Sequence, residues 1–182
     1  FYSYFLIEDH KEPINFSVPT GNFGDVYAGY LAKKIGLPIN KFIVATNQND
    51  ILHRAITNGT YNVENVLETI SPSMDIQIAS NFERLIFDLS DNNDKKTIDV
   101  MESIKEKGKY EIQKESLDKI NVDFLSSRMD ENEILNTIKT VYEKFDKVLD
   151  PHSAIGYGAF DKVNLKGNNI VLATAHPCKF PG

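Results

Sequence analysis

The sequence predicts an α/β protein that holds part of a parallel β-sheet together with a helical insertion. The first observation is three short, mostly apolar runs at residues 14–18, 42–46 and 170–174, each followed by turn-forming or polar residues. Continuous runs of this kind are typical of parallel strands covered on both faces. The second is that amphipathic helical patterns lie between the runs. The third is an ordinary globular composition, with 41% hydrophobic and 25% charged residues.

Three helices are expected next to the first two strands. Apolar residues recur at helical spacing from Phe23 to Leu31, and Gly36 ends that helix. A second helix covers residues 51–58 and ends at Gly59. A third is marked by an apolar stripe, which consists of Phe82, Leu85, Ile86 and Leu89.

The chain has two textures, which predict its division. Residues 1–90 and 150–182 are rich in apolar runs, Gly and Pro, and they are expected to form the α/β part. Residues 91–149 are highly charged, and their apolar positions are spaced as in amphipathic helices. We therefore expect residues 91–149 to be a helical insertion.

Two helices are expected within this insertion. The first ends at Gly108. The second has the strongest apolar stripe of the chain and follows Asp130, which forms a potential capping box with Glu133. Pro151 is expected to close this second helix.

Charge and composition exclude several functional classes. The 20 Lys and Arg against 26 Asp and Glu give a formal net charge of −6, which argues against a nucleic-acid-binding protein. No apolar run reaches the roughly 20 residues of a membrane span. The single cysteine, Cys178, excludes an internal disulfide and fits a reducing compartment. With no signal-peptide pattern visible, we expect a cytoplasmic location, and the apolar start at Phe1 suggests a piece of a larger protein.

A glycine-rich segment between the first strand and its helix is the leading candidate site. Gly21 and Gly24 would let the backbone approach an anion, and the free N–H groups of the first helical turn would bind it. Thr20 and Asn22 could add side-chain donors. A tight turn with an Asx cap explains the same residues equally well. The segment fits neither the P-loop nor the dinucleotide-binding pattern.

Other polar segments lie near the ends of predicted strands or helices. Thr174 ends the last predicted strand, where ligands of open α/β sheets bind, although its hydroxyl could instead satisfy its own backbone. Residues 45–50 are more typical of a helix cap, and residues 71–76 could border a pocket. Residues 150–156 favour a helix stop followed by a turn.

Metal and nucleophile patterns are missing from the sequence. Cys178 has no evident base neighbour, and no serine-nucleophile elbow is present. No metal site is expected, because metal-ligand spacing is lacking among the four histidines: His10, His53, His152 and His176.

Four ordered blocks of the chain resemble the threonine synthase family in its longer bacterial and fungal form. They are VPTGNFGDVYAGYLAKKIGLPINKFIVATNQNDIL, SPSMDIQIASNFERL, DPHSAIG and LATAHPCKFP. The resemblance implies a fold type II enzyme with two α/β domains and pyridoxal 5'-phosphate between them. The implied reaction converts O-phospho-L-homoserine and water to L-threonine and phosphate by γ-elimination and β-addition of water.

The resemblance also implies roles for individual residues. Thr174, from the T-A-H-P block, corresponds to the hydroxyl partner of the pyridine nitrogen, and the α/β part becomes the cofactor-binding domain. A neutral hydroxyl at that place leaves the nitrogen largely unprotonated. The G-N-F-G-D block corresponds to the loop that holds the cofactor phosphate, which here consists of Gly21, Asn22, Phe23, Gly24 and Asp25.

One part of the family pattern is absent. The Schiff-base lysine of the family precedes the glycine-rich loop, but Lys11 is the only lysine there and has no family motif around it. No catalytic residue is therefore assigned in this chain. We expect a C-terminal portion trimmed at both ends, inactive alone, whose partner is the missing N-terminal part of the same enzyme.

Two alternative functions stay open, one without catalysis and one with a different reaction. The chain could be a non-catalytic phosphate-binding or assembly module. It could also belong to another fold type II lyase, such as a serine/threonine dehydratase or a cysteine synthase relative. The S-P-S-M-D-I and T-A-H-P blocks argue against that second alternative.

Overall fold

The computed structural model describes residues 2–7 and 11–180. In chain order its strands are β1 (Ile14–Pro19), β2 (Lys41–Thr46), β3 (Thr60–Asn62), β4 (Lys109–Glu111), β5 (Phe124–Arg128) and β6 (Asn168–Val171). Its helices are α1 (Tyr2–Phe5), α2 (Gly24–Lys34), α3 (Ile51–Asn58), α4 (Phe82–Leu89), α5 (Asp94–Lys107), α6 (Lys114–Asp123), α7 (Glu131–Phe145) and α8 (Pro151–Val163). Two short 3-10 turns cover Pro72–Met74 and Pro177–Lys179.

The main sheet has four parallel strands in the order β5-β2-β1-β6. Strands β1 and β2 lie in the middle, and Val18 pairs with Val44 across them. Both strands are almost completely buried. The predicted parallel sheet is confirmed, and the carboxyl ends of its strands share one edge.

Alternating side chains of β2 point to two separate apolar clusters. Phe42 and Val44 belong to a large cluster that includes side chains of α2, α3 and α4. Ile43 and Ala45 belong to a smaller cluster on the other face, which includes Ile155 of α8. The sheet is therefore covered on both faces, as the continuous apolar runs predict.

Helix α8 lies unusually close to the sheet. A Cβ added at Gly156 would come within 3.0 Å of the Pro19 ring and of the Val171 side chain. The hydroxyl of Ser17, which is fully buried in β1, donates a 2.6 Å hydrogen bond to the Gly156 carbonyl. The position of α8 is consequently fixed relative to the end of β1.

Several predicted helix boundaries are confirmed. Helix α3 covers the predicted residues and ends at Gly59, which has a φ of 78° in the left-handed region. Helix α5 ends in the same way at Gly108, with a φ of 69°. Asp130 and Glu133 form the predicted capping box at the start of α7.

Segment 91–149 contains two strands in addition to the expected helices. It contributes β5, which pairs in parallel with β2 and forms one edge of the main sheet. It also contributes β4, which pairs antiparallel with β3. The main sheet therefore includes a strand from this segment. The sequence did not predict it, because β5 lacks the continuous apolar run of the inner strands β1 and β2.

Two further boundaries were predicted wrongly. Helix α7 ends at Phe145, where Asp146 adopts a left-handed conformation with a φ of 52°, and Pro151 begins α8 instead of closing α7. The last strand ends at Val171, so Thr174 lies beyond it. Proline is favoured in the first helical turn because its missing N–H has no partner there.

We expect Asp130→Ala to lower the free energy of unfolding of the full-length protein by about 1 kcal/mol. The reason is that the Asp130 carboxylate accepts a 2.9 Å hydrogen bond from the Glu133 N–H at the start of α7. Urea unfolding measures the loss. Asp130→Asn, which keeps an acceptor oxygen, serves as the control, and equal losses in both variants would contradict the capping role.

Candidate functional site

The glycine-rich loop leaves β1 at the shared edge of the sheet. The Thr20 N–H donates to the Ala45 carbonyl at 2.8 Å, which extends the pairing of β1 and β2 by one residue. The Thr20 hydroxyl donates to the Val18 carbonyl at 2.6 Å and is buried. Thr20 therefore anchors the loop through both its N–H and its hydroxyl, and donation from this hydroxyl to an anion stays a prediction.

Phe23 turns the loop into α2 with a left-handed backbone, at a φ of 68° and a ψ of 5°. This conformation is rare for a bulky residue and needs support from its surroundings. This support comes from the core, where the Phe23 ring is 1% exposed. The ring packs edge-on against Phe82, with ring centres 5.3 Å apart. It also packs at a tilt against Phe124, with ring centres 5.8 Å apart.

The start of α2 is not capped by any side chain among the described residues. Asn22, which an Asx cap would require, instead accepts hydrogen bonds from the Ser80 N–H and hydroxyl. The first N–H groups of a helix have no acceptor within the helix, and its dipole adds partial positive charge there. The alternative of a tight turn with an Asx cap is therefore wrong for this loop, and the anion-binding interpretation stays a prediction.

A pocket of about 210 Å³ opens at this loop, and it is lined by residues 19–26 and by Asn81. A Cβ added at Gly24 would meet only the Asn81 side chain, at 3.4 Å, so this position faces the open pocket. A Cβ at Gly21 would lie 2.9 Å from the Ser73 carbonyl oxygen. The two glycines therefore differ: the missing Cβ of Gly24 leaves the pocket open, and the missing Cβ of Gly21 allows the segment at Ser73 and Met74 to pack closely.

Thr174 lies at the same edge of the sheet as the loop. It follows β6 by three residues, and β6 pairs in parallel with β1 through Ser17 and Val171. Its side chain is exposed. Thr174 and the glycine-rich loop therefore follow neighbouring strands at their carboxyl ends, where ligands bind in open α/β sheets.

The segment after β2 forms a polar network. Asn47, which is 1% exposed, donates to the Ser71 hydroxyl at 2.9 Å and to the Asp75 carboxylate at 2.8 Å. Asn49 donates to the same carboxylate oxygen at 2.9 Å. The Thr69 N–H donates to the other oxygen at 2.8 Å. Asn47 and Asn49 therefore hold the turn Pro72–Met74 at the edge of the site. The predicted helix cap is wrong, because within the described part of the chain the Asp50 side chain makes no capping hydrogen bond at the start of α3 and its carboxylate pairs with Arg54 instead.

A buried polar cluster lies at the start of α8. Asp150, His152 and Ser153 are 1%, 3% and 2% exposed. Asp150 caps α8 by accepting from the His152 and Ser153 N–H groups, and the Ser153 hydroxyl also donates to its carboxylate. Burial alone would raise the pKa of Asp150, but the hydrogen bonds from Ser153 and His152 outweigh burial and lower the pKa below its usual value.

The interpretation of residues 150–156 as a helix stop missed this cluster. A usable signal exists, because Asp followed by Pro is a common beginning of a helix. The contact that His152 makes with Ser73, at 3.3 Å, joins residues 79 positions apart. No local pattern could have predicted it.

The other candidates contribute less. His10 lies outside the described residues, and Cys178 is exposed. No group of three His, Cys, Asp or Glu side chains that could hold a metal ion occurs within residues 2–7 and 11–180. In the same part of the chain, no helix is both long enough and apolar enough to cross a membrane.

Comparison with known proteins gives consistent relatives, although no family model matches the chain. Threonine synthase of Pseudomonas aeruginosa is 43% identical over 170 residues, which cover 92% of this chain and 36% of that protein. Threonine synthase of Saccharomyces cerevisiae is 41% identical over 201 residues, which cover 99% of this chain and 39% of that protein. The chain therefore spans less than two fifths of the length of these relatives.

Solved structures agree with these relatives. The structure of threonine synthase with bound pyridoxal phosphate from Brucella melitensis has a TM-score of 0.92 and 44% identity, and the match covers 96% of this chain and 38% of that one. The structure of yeast threonine synthase also has a TM-score of 0.92, with 40% identity. This match covers 98% of this chain and 39% of the yeast chain. Maize serine racemase, at a TM-score of 0.51 and 13% identity, shares the fold alone.

The parallel sheet and its structural neighbours define the class of protein as the fold type II pyridoxal-phosphate enzymes. Identity is 44% and 40% to the Brucella melitensis and yeast threonine synthase structures but 13% to the serine racemase from maize. The chain belongs to the threonine synthase family and corresponds to a C-terminal portion of its members.

We expect Asp150→Asn to lower the free energy of unfolding of the full-length protein at neutral pH. We expect this loss to become smaller as the pH falls. The pKa of Asp150 is lowered in the folded state, so its ionised form stabilises the fold above the unfolded value of about 3.9. This contribution is lost as the pH falls through the folded pKa. Urea unfolding between pH 7 and pH 3 checks this, with the exposed Asp161→Asn as control. A difference from wild type that stays constant with pH would refute it.

Proposed function

We propose that this chain supplies the cofactor-phosphate site of a pyridoxal-phosphate-dependent threonine synthase. The complete enzyme would convert O-phospho-L-homoserine and water to L-threonine and phosphate. The observation that carries the proposal is the uncapped start of α2, which opens into a pocket at the shared edge of the sheet. Family membership supports the identity of the anion as the cofactor phosphate.

The residues of the loop fit a phosphate group. The absence of a Cβ at Gly24 leaves the pocket open, and the backbone N–H groups at the start of α2 are donors without an acceptor inside the helix. Charge-assisted hydrogen bonds from such groups to phosphate are strong. In the proposed site the phosphate is held by the backbone of Gly21, Asn22, Phe23, Gly24 and Asp25.

Thr174 is the proposed partner of the cofactor ring nitrogen. The cofactor, when bound, supplies an electron sink for elimination of phosphate and addition of water. A hydroxyl at the ring nitrogen can donate a hydrogen bond without transferring a proton, so the strength of that electron sink stays moderate. The exposed position of Thr174 beyond β6 supports this role.

The lysine that carries the cofactor is proposed to lie outside these residues. Lys33 is paired with Asp123 at 2.5 Å and Lys34 with Asp88 at 3.2 Å. Both lysines sit in the last turn of α2, about 15 Å from the loop at 1.5 Å per residue. We therefore expect the 182-residue chain by itself to release no phosphate from O-phospho-L-homoserine.

The partner of this chain is proposed to be the remaining part of the same enzyme. Among the strands of residues 2–7 and 11–180, β6 lies at one edge of the main sheet and pairs only with β1. Beside it an apolar pocket of about 410 Å³ is lined by Phe16, Val18, Leu172 and side chains of α2. An unpaired edge beside an apolar pocket is a suitable docking surface for further strands and helices.

We expect Gly24→Val to weaken binding of pyridoxal 5'-phosphate to the full-length apoprotein more than tenfold. Each lost charge-assisted hydrogen bond costs about 1.5–3 kcal/mol, and about 1.4 kcal/mol corresponds to a factor of ten. Folding should survive, because the nearest atom to a Cβ at Gly24 is 3.4 Å away. Fluorescence titration measures the affinity. Leu31→Val, at an exposed position of α2, is the control. An unchanged affinity of the Gly24→Val variant for pyridoxal 5'-phosphate would contradict the proposal.

Reduction with borohydride should locate the cofactor lysine. In the full-length holoenzyme, peptide mapping after reduction is expected to find the pyridoxyl group on a lysine outside residues 1–182. The reason is that Lys33 and Lys34 are paired and distant from the loop. A sample reduced without cofactor is the control. A stoichiometric pyridoxyl-lysine within these residues would overturn the assignment.

A further inference from the structure

The turn Pro72–Met74 packs directly against the glycine-rich loop. A Cβ added at Gly21 would lie 2.9 Å from the Ser73 carbonyl oxygen and 3.1 Å from the Met74 Cα. Both of these are backbone atoms, so a change of side-chain rotamer cannot relieve or adjust the contact. The position of the turn therefore determines the position of the loop at Gly21.

Both ends of this turn are held by the polar network after β2. Asn47 donates to Ser71, which precedes the turn, and to Asp75, which follows it, at 2.9 and 2.8 Å. These bonds fix the flanking residues of the turn. They leave the N–H of Ser73, in the middle of the turn, to another partner.

That partner is His152 at the start of α8. The Ser73 N–H donates to the His152 Nε2 at 3.3 Å, while the His152 Nδ1 lies 3.0 Å from an Asp150 carboxylate oxygen. Since Nε2 accepts a hydrogen bond, the ring proton must be on Nδ1, where it is donated to Asp150. The ring is only 3% exposed, so water cannot readily replace either bond.

Helix α8 thus contacts both elements that must meet at the site. Through Gly156 it accepts a hydrogen bond from Ser17 of β1, the strand that leads into the loop. Through His152 it holds the turn that packs on Gly21. One rigid helix therefore sets the distance between the loop and the turn.

We propose that His152, oriented by Asp150, is a positioning residue that holds the turn Pro72–Met74 against Gly21 and thereby shapes the cofactor-phosphate loop. The inference rests on the function proposed above. His152 touches neither the loop nor the pocket beside it, so its effect on the cofactor is transmitted through the Ser73 backbone.

A matched pair of substitutions in the full-length protein tests the role. The amide of glutamine reaches the place of Nε2, so His152→Gln keeps an acceptor for the Ser73 N–H. The shorter His152→Asn reaches only the place of Nδ1, so it keeps the contact with Asp150 and loses the one with Ser73. We expect pyridoxal 5'-phosphate to bind about tenfold more weakly to His152→Asn and within about twofold of wild type to His152→Gln.

Amide hydrogen exchange gives a second readout in the apoprotein. Exchange of the peptide that covers residues 71–76 should be faster in His152→Asn than in wild type and should be restored in His152→Gln. Ser153→Ala is the control, since it removes another hydrogen bond to Asp150 without touching the turn. It should lower the melting temperature and leave both cofactor affinity and exchange of this peptide unchanged.

The outcomes separate this role from the proposed function. Wild-type affinity in His152→Asn, together with weakened binding in Gly24→Val, would overturn the positioning role alone. Unchanged affinity in Gly24→Val would overturn the phosphate site itself. Equal weakening in the two His152 variants and Ser153→Ala would indicate general destabilisation and refute the inference.

The tautomer of His152 can be measured in the unsubstituted protein, so this test does not depend on how stable the variants are. A variant is needed only to assign the His152 signal. Nitrogen NMR of the full-length protein with labelled histidine should show a histidine in the Nδ1–H tautomer whose signal is lost in His152→Gln. If the His152 signal belongs instead to the Nε2–H tautomer, the ring cannot accept from Ser73 and the inference is wrong.

Discussion

The left-handed turn at Phe23 is the constraint on which the proposed site depends. Holding a bulky residue in this region costs on the order of 1–3 kcal/mol. Burial of a phenylalanine ring stabilises the fold by about 1.5–3 kcal/mol, and each aromatic pair stabilises it by about 0.5–1.5 kcal/mol more. The Phe23 ring is fully buried and pairs with Phe82 and Phe124, so packing offsets the strain. The core of the domain therefore stabilises a turn that exposes the start of α2.

The site is assembled from segments that are far apart in the chain. The loop at 20–25 follows β1, the turn Pro72–Met74 packs on Gly21, and Ser80 binds the Asn22 side chain. Each contact is made by backbone or by a short polar side chain. Such a site is rigid before any ligand arrives, which reduces the entropy that binding must overcome. In the proposed site, the partial positive charge at the start of α2 would attract phosphate, although the formal net charge of the chain is −6.

Local patterns in the sequence were sufficient for much of the fold. The sequence predicted α3 with its observed boundaries and α4 from its apolar stripe, and the Asp130 and Glu133 pair predicted the cap of α7. Strand β5 was missed because three of its five residues are polar and it lies at an edge of the sheet. Helix α8 was missed because its packing depends on small residues such as Gly156 and Gly158, which weaken a helix-propensity signal.

The candidate site could be predicted only where its residues are consecutive. The glycine-rich loop was visible as a strand, a loop and a helix in series. Thr174 was a candidate from its place at the end of a predicted strand, and the resemblance to a known family added its role at the ring nitrogen. The Asx cap could be ruled out only from the structure, because the Asn22 side chain accepts from Ser80, 58 positions away. The contact of His152 with Ser73 is likewise non-local.

A crystal structure of the full-length protein with pyridoxal 5'-phosphate tests the central claim most directly. The account predicts a phosphate bound by backbone N–H groups of residues 21–25, with the Thr174 hydroxyl within hydrogen-bond distance of the ring nitrogen. A cofactor phosphate bound elsewhere, with this loop facing only water, would contradict it.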